Sequence, residues 1–199
     1  MYDHTLVDSH SRMSFVKGLV RKSEVTDVIR DWIRSAGVGD NQGLVVKEIM
    51  TDGDRSNYNS KRFKSMLAEE GVHHIQSPEY EAAYNGVDER MQGVLDSLAL
   101  SALHYAGLGY EYYLLAYVHA SWVWNRCVHS SIDWDIPWLR WQHRDVSFKY
   151  LRIFGCPAFV TIPGPKRRKH QTKSWTGIYV GVADNGYGFK IWSPVMCKT

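Results

Sequence analysis

Asp52 and Glu89 are the residues of this chain best placed to do chemistry. Asp52 closes an apolar approach, Gly43-Leu-Val-Val-Lys-Glu-Ile-Met-Thr51, and Glu89 lies in Asn85-Gly-Val-Asp-Glu-Arg90 at the head of an amphipathic segment; 36 residues separate them. A carboxylate at the end of a strand and a second on a downstream helix can share divalent metal ions. Phosphodiester chemistry uses such a pair, because two ions roughly 3.5–4 Å apart clamp both the attacking and the leaving oxygen. Their carboxylates are then expected within about 4–8 Å of each other. The pair points to polynucleotide chemistry.

The elements that must position the pair are legible in the periodicity. Residues 4–8 and 13–20 are short apolar-rich runs around Ser9-His-Ser-Arg12, which reads as a hairpin. Val25, Val28, Ile29, Trp32 and Ile33 after Ser23 mark a helix with one buried stripe. Leu44 to Met50 is expected as the strand that delivers Asp52, Ser60 to Glu70 as a helix, and Val72 to Gln76 as a short strand. The order strand, strand, helix, strand, helix, strand, helix makes an α/β layer with mixed strands. On the segment of Glu89, the residues Val87, Met91, Val94, Leu95 and Leu98 form one helical stripe expected to face the core. Glu89 is two residues from Val87 and from Met91, hence turned roughly 160–200° away from them. It is free of the stripe.

A second helix is expected at about 109–126, dense in Tyr and Trp. Its apolar stretch Leu108 to Trp124 carries Glu111 and His119, which makes it a buried helix rather than a membrane span. Trp134 to Trp141 with Pro137 reads as a connector wrapped over a surface. From Tyr150 the texture turns to β, with strands expected at 150–154, 158–162, 177–181 and 188–192, a hairpin signal at Asp184-Asn-Gly186, and a small barrel as their closure.

Composition bounds the rest. With 199 residues, 44% of them apolar, the chain can bury one sizeable core plus a small second domain. No charged leader precedes an apolar run, so no secretory signal is expected. Cys127, Cys156 and Cys197 fit neither a disulfide framework nor a zinc ribbon, and suit a reducing compartment. Net charge is +3, but residues 150–199 carry eight Lys and Arg against Asp184 alone, leaving the rest of the chain net acidic. A basic rear of this kind suits a phosphate backbone. Lys166-Arg-Arg-Lys-His170, in a loop bounded by Pro and Gly, is its densest part and reads either as a phosphate contact or as a solvated turn. His73 and His74 adjoin on a strand and so point to opposite faces, which argues against a shared metal. The Tyr and Trp crowd between 105 and 141 reads as core and subunit contact rather than a base-stacking surface.

Several ordered blocks resemble the integrase of copia-type LTR retrotransposons over essentially the whole chain. They are Val7-Asp-Ser-His-Ser-Arg12 with Lys22-Ser-Glu24, then Thr51-Asp52, then Ser77-Pro-Glu-Tyr-Glu-Ala-Ala-Tyr-Asn-Gly-Val-Asp-Glu-Arg90, Ala120 to Arg126, Tyr150-Leu-Arg-Ile-Phe-Gly-Cys-Pro-Ala-Phe159, and Gly177-Ile-Tyr-Val-Gly181. The resemblance implies a ribonuclease-H-like catalytic core over 1–130, a connector over 131–148 and a Src-homology-3-like barrel over 149–199. It implies that Asp52 and Glu89 are the second and third members of an Asp, Asp, Glu triad that binds two Mg²⁺ or Mn²⁺ ions. Arg90 with Lys166, Arg167, Arg168 and Lys169 would then bind nucleic acid. DNA, both element ends and target, is the implied partner, with self-association, in the nucleus or cytoplasm of a eukaryotic cell; neither a membrane nor a small-molecule substrate is expected.

The same resemblance places the first metal-binding Asp on a strand before the hairpin that opens this chain, after an upstream zinc domain. Asp8, although with Asp52 and Glu89 it makes a tempting count of three carboxylates, corresponds to a non-catalytic Asp at the end of the next strand. The chain alone is therefore expected to bind DNA weakly and not to join DNA ends. Three departures from the family pattern bear on this: Gly53-Asp54 stands for the usual Asn-Gly, Tyr84 for Gln, and Met91, Gln92 and Gly93 where basic residues are common. Two readings stay open, an integrase-type polynucleotidyl transferase and a non-catalytic nucleic-acid-binding remnant. A plain ribonuclease fits less well, because the barrel belongs to integrases.

Overall fold

In the computed structural model, which describes residues 2–36, 45–51, 58–76, 82–167, 172–183 and 186–193, the first two apolar runs pair as the antiparallel hairpin β1 (Tyr2–Val7) and β2 (Ser14–Leu19). Asp8 ties its turn. The Asp8 Oδ2 accepts from the backbone N–H (2.6 Å) and hydroxyl (2.7 Å) of Ser11, and Arg12 takes a left-handed φ of 62°. Then follow α1 (Val25–Ala36), β3 (Glu48–Thr51), α2 (Lys61–Glu69), β4 (His73–Gln76) and α3 (Ala82–Ala106). The expected order of seven elements is observed. β3 runs parallel to β4, and α2 opens on a Ser60 cap whose hydroxyl accepts from Phe63 N–H. Next come α4 (Tyr113–Trp124), α5 (Pro137–Gln142), β5 (Pro157–Thr161), β6 (Ser174–Val182) and β7 (Phe189–Trp192), the last three forming an antiparallel sheet in that order.

The chain divides into two compact units, residues 1–94 with 125–146 and residues 95–124 with 147–199. In the first, Val25 and Ile29 of α1 pack with Phe63, Met66 and Leu67 of α2 and Ile49 of β3. A second cluster joins Met13, Ala36 and Trp141. Trp141 lies nearly parallel to Trp32 at 6.2 Å and meets Phe15 edge-on at 5.2 Å. The stretch expected as a surface connector is thus partly core. Pro137 pre-sets the first turn of α5, and a spacing of four puts Pro137 and Trp141 on one buried face, while Trp134 stays exposed.

The stripe on α3 also needs correction. Its buried residues are Met91, Leu95, Ala99 and Leu103, each four after the last, whereas Val87 and Leu98 are 40% and 41% exposed. A narrow ridge of residues four apart is buried instead of the broader stripe. Glu89 is exposed and off that ridge, as expected.

In the second unit α4 packs on β6, with His119 between Phe154 and Tyr179 at 5.6 Å from each. Among the described residues no helix is long and apolar enough to cross a membrane. Strands at 157–161, 174–182 and 189–192 match three of the four expected. Residues 150–154 do not form the fourth. Gly155, at a φ of 78°, turns the chain there, and Tyr179 holds the segment by its O–H to Tyr150 O (3.1 Å) and its C=O to Gly155 N–H (2.8 Å).

Two predictions arise here. A Cβ on Gly155 would meet Ala106 Cβ at 2.3 Å in addition to straining the left-handed backbone. Gly155→Ala is expected to destabilise by about 2–4 kcal/mol, read from a urea midpoint. The buried His119, whose Nδ1 has no hydrogen-bond partner among the described residues, is held down to about 4 by desolvation. Because this folded pKa lies below the unfolded value near 6.5, stability is full above that value. It is lost as pH falls from about 6.5 to 4, at roughly 1.4 kcal/mol per unit. A His119→Gln variant should show a flatter decline over that window.

Candidate functional site

The first unit contains a cleft of about 750 Å³ lined by β1 and its turn, by residues 45–51, and by the start of α3. Glu89 and Thr51 both line it. Glu89 makes no hydrogen bond or ion pair among the described residues. Thr51, the last residue of β3, is buried, and its hydroxyl lies 2.9 Å from His74 Nε2. Desolvation, then the charges of Lys64 and His73, lower the pKa of His74 and favour its neutral imidazole. The contact pins the end of β3 to β4. Asp52 follows Thr51 directly and lies outside the described residues.

Other charged groups share the cleft, among them Asp3, Asp8, Arg12, Lys47, Glu48 and Asp88. Asp8 lines it, but its Oδ2 already takes the two Ser11 bonds. Asp88, which spacing alone did not single out, has its carboxyl pushed up by desolvation against an opposing pull from Arg12. It keeps solvent access, so crowding in the cleft rather than full burial causes the rise. Among the described residues no group of three or more His, Cys, Asp and Glu could hold a metal ion. One of the two expected ligands is therefore in view, and it fits: a carboxylate with no partner among the described residues suits a hard cation such as Mg²⁺ or Mn²⁺. His73 is exposed and His74 is engaged with Thr51, as two faces of one strand require.

Of the expected nucleic-acid contacts, Arg90 is exposed on α3 and Arg167 is half-buried beyond a short turn at Gly164–Lys166. The Lys166 side chain, Arg168 and Lys169 lie outside the described residues.

Residues 156–199 match the retroviral polymerase SH3-like domain family. Over 197 residues, 99% of the chain, it is 29% identical to the retrovirus-related Pol polyprotein from transposon TNT 1-94 of Nicotiana tabacum. The chain is a relative of copia-type transposon Pol polyproteins. It is also 23% identical over 88% of its length to the Pol polyprotein from transposon RE2 of Arabidopsis thaliana. It spans 15% and 12% of the length of these two relatives.

Solved structures agree on the fold. The simian T-cell lymphotropic virus intasome, in complex with PP2A regulatory subunit B56 gamma, aligns over 89% of this chain and 61% of its own, with a TM-score of 0.56 at 17% identity. The catalytic core domain of BIV integrase aligns over 71% of this chain and 85% of its own at 0.53 and 15%. The HTLV-2 integrase catalytic core domain in complex with magnesium aligns over 71% and 83% at 0.50 and 19%. The fold of this Pol relative is a ribonuclease-H-like integrase core with a C-terminal SH3-like all-β region.

Proposed function

We propose that this chain is an integrase-type polynucleotidyl transferase segment of a retrotransposon Pol polyprotein, acting on DNA with Mg²⁺ or Mn²⁺. Its integrase ancestry is plain from the relatives and the fold. The observation that carries the metal reading is the placement of Glu89 on the same cleft as Thr51, the residue next to Asp52. Asp52 and Glu89 hold the metal in this reading, and Arg90 beside Glu89 offers a guanidinium to a phosphate. The bound ions supply the charge that activates a nucleophile and stabilises the leaving oxygen. The magnesium complex of the HTLV-2 core supports the choice of ion, and its dimeric form supports self-association. We assign residues 1–130 to the core, 131–148 to a connector and 149–199 to the barrel, with the protein at work in the nucleus or cytoplasm.

The second reading, a nucleic-acid-binding remnant without chemistry, is favoured by Met91, Gln92 and Gly93 where the family often has basic residues. Mn²⁺ titration of the full chain separates the two. Glu89→Gln and Asp52→Asn are each expected to weaken Mn²⁺ binding at least about 10-fold, since a hard cation loses an anionic oxygen. Asp8→Asn should leave it within about twofold. Mn²⁺ affinity unchanged in Glu89→Gln would remove the metal reading.

A further inference from the structure

Trp134 is 72% exposed, and its indole makes no hydrogen bond or ring contact among the described residues. Its backbone is nevertheless fixed in the left-handed region at a φ of 62°, directly after Asp133 at 57°. Aspartate tolerates that region, whereas a bulky side chain there is an outlier that the surroundings must hold in place. One guanidinium does so. Arg140 donates from Nε to Asp135 Oδ2 (2.8 Å) and from Nη2 to the Ile132 C=O (2.8 Å) and to Asp133 Oδ2 (3.4 Å), and so grips the residues on both sides of Trp134. The Trp134 N–H donates to the His129 C=O (3.0 Å), and the His129 N–H to the Asp135 C=O (3.0 Å). The tip of this tied loop is an indole beside the carboxylate of Asp133, whose side chain is 96% exposed. The loop belongs to the first unit, and none of residues 127–136 lines the cleft of Glu89.

We propose that Trp134 and Asp133 form a docking point for an arginine side chain in a basic segment of a partner protein. A tryptophan face attracts a cation more strongly than the other aromatic rings, and a guanidinium can lie flat on it while its N–H fork meets a carboxylate. The same stretch already contains one such stack, the guanidinium of Arg126 at 4.1 Å over the Trp138 ring. Charge selects the partner. Between residues 127 and 140, Asp133 and Asp135 stand against Arg140, which leaves the loop net negative and repels a phosphate backbone. A purely apolar partner would strip water from Asp133 without supplying a counter-charge. An arginine answers both groups at once, with its planar face on the indole and its charge at the carboxylate. The docking point needs neither metal nor DNA and stands apart from the reading of Glu89.

The test uses the full chain, without metal or DNA, and a fluorescein-labelled Gly/Ser peptide bearing arginines. Its counterpart carries citrulline instead, which keeps the planar side-chain end and loses the charge. With the tryptophans labelled by ¹⁵N, the indole N–H resonance of Trp134, identified by its loss in Trp134→Phe, should shift saturably with the arginine peptide. Anisotropy should show the citrulline peptide binding at least about fivefold more weakly. Trp134→Gly should weaken the arginine peptide at least about fivefold, while its urea midpoint stays unchanged or rises, because glycine adopts this φ freely and no packing is lost. Asp133→Asn should weaken it about threefold. The proposal is overturned by an unmoved Trp134 resonance, by equal binding of the citrulline peptide, or by Trp134→Gly binding as tightly as the original chain. A lowered urea midpoint in Trp134→Gly also overturns it, since the indole then serves the fold. It is equally overturned if Trp134→Gly abolishes binding of a DNA duplex, or breaks a dimer seen by sedimentation, because nucleic acid or a second copy is then the occupant.

Discussion

Asn125→Ala should lower the unfolding free energy by about 2–4 kcal/mol, seen as a lower urea midpoint with the slope unchanged. Asn125 is 4% exposed and closes three hydrogen bonds on one residue of β2. Its Oδ1 accepts from the Ser14 N–H (2.8 Å) and hydroxyl (3.0 Å), and its Nδ2 donates to the Ser14 C=O (2.7 Å). Alanine removes all three, and each buried polar group that loses its partner costs about 1–3 kcal/mol. Ser14→Ala, which keeps the backbone bonds and loses the hydroxyl bond to Asn125, should cost about 1 kcal/mol. Asn125→Asp should be at least as harmful as alanine, because it sets a carboxylate oxygen against the Ser14 carbonyl. A loss below about 1 kcal/mol for Asn125→Ala would mean that water or a rearranged neighbour takes over the clamp.

The same residue shows where sequence reading stops. Asn125 stands in the Trp-Asn-Arg block that carries part of the family resemblance, yet nothing in its spacing assigns it a task. Its partner is 111 residues away, and only the folded chain joins them. Arg126 is similar, its guanidinium lying 4.1 Å over the Trp138 ring. Local signals fared better. The α1 stripe and the helix from Ser60 rest on spacings within a few turns, which the order of residues displays directly, whereas the parallel pairing of β3 with β4 is made only across α2. Intermediate cases failed by degree. Val87 and Leu98 share an apolar helical face with Met91 and Leu95, but burial needs something packed opposite, and periodicity cannot say how wide that contact is. Residues 150–154 have strand composition, yet the positive φ of Gly155 and the hold of Tyr179 make them a turn.

The candidate site divides in the same way. That Glu89 leaves the buried ridge of α3 follows from helical geometry alone. That Thr51 is pinned by His74, and that Asp88 enters the same cleft under the influence of Arg12, depends on elements meeting across the unit. Asp8 lines the cleft as a simple count of carboxylates would suggest. The Ser11 bonds engage one of its oxygens in the hairpin turn, which gives the residue a structural reason independent of metal.

Replacing Lys166, Arg167, Arg168 and Lys169 together by Ala is expected to weaken DNA binding by the full chain steeply and without regard to sequence. Each phosphate neutralised by a cation releases condensed counterions, so four lost contacts reduce the slope of log K against log salt by up to about 3–4. Over a fourfold rise in salt the original chain should then lose about 100-fold more affinity than the variant does. The charge distribution singles out this segment, because residues 150–199 hold eight Lys and Arg against Asp184 alone while the remainder is net acidic and would repel a phosphate backbone. Arg90→Ala, one exposed cation on α3, should change the slope by no more than about 1. A salt slope unaltered in the fourfold variant would leave the cluster as a solvated turn and move the DNA contact elsewhere.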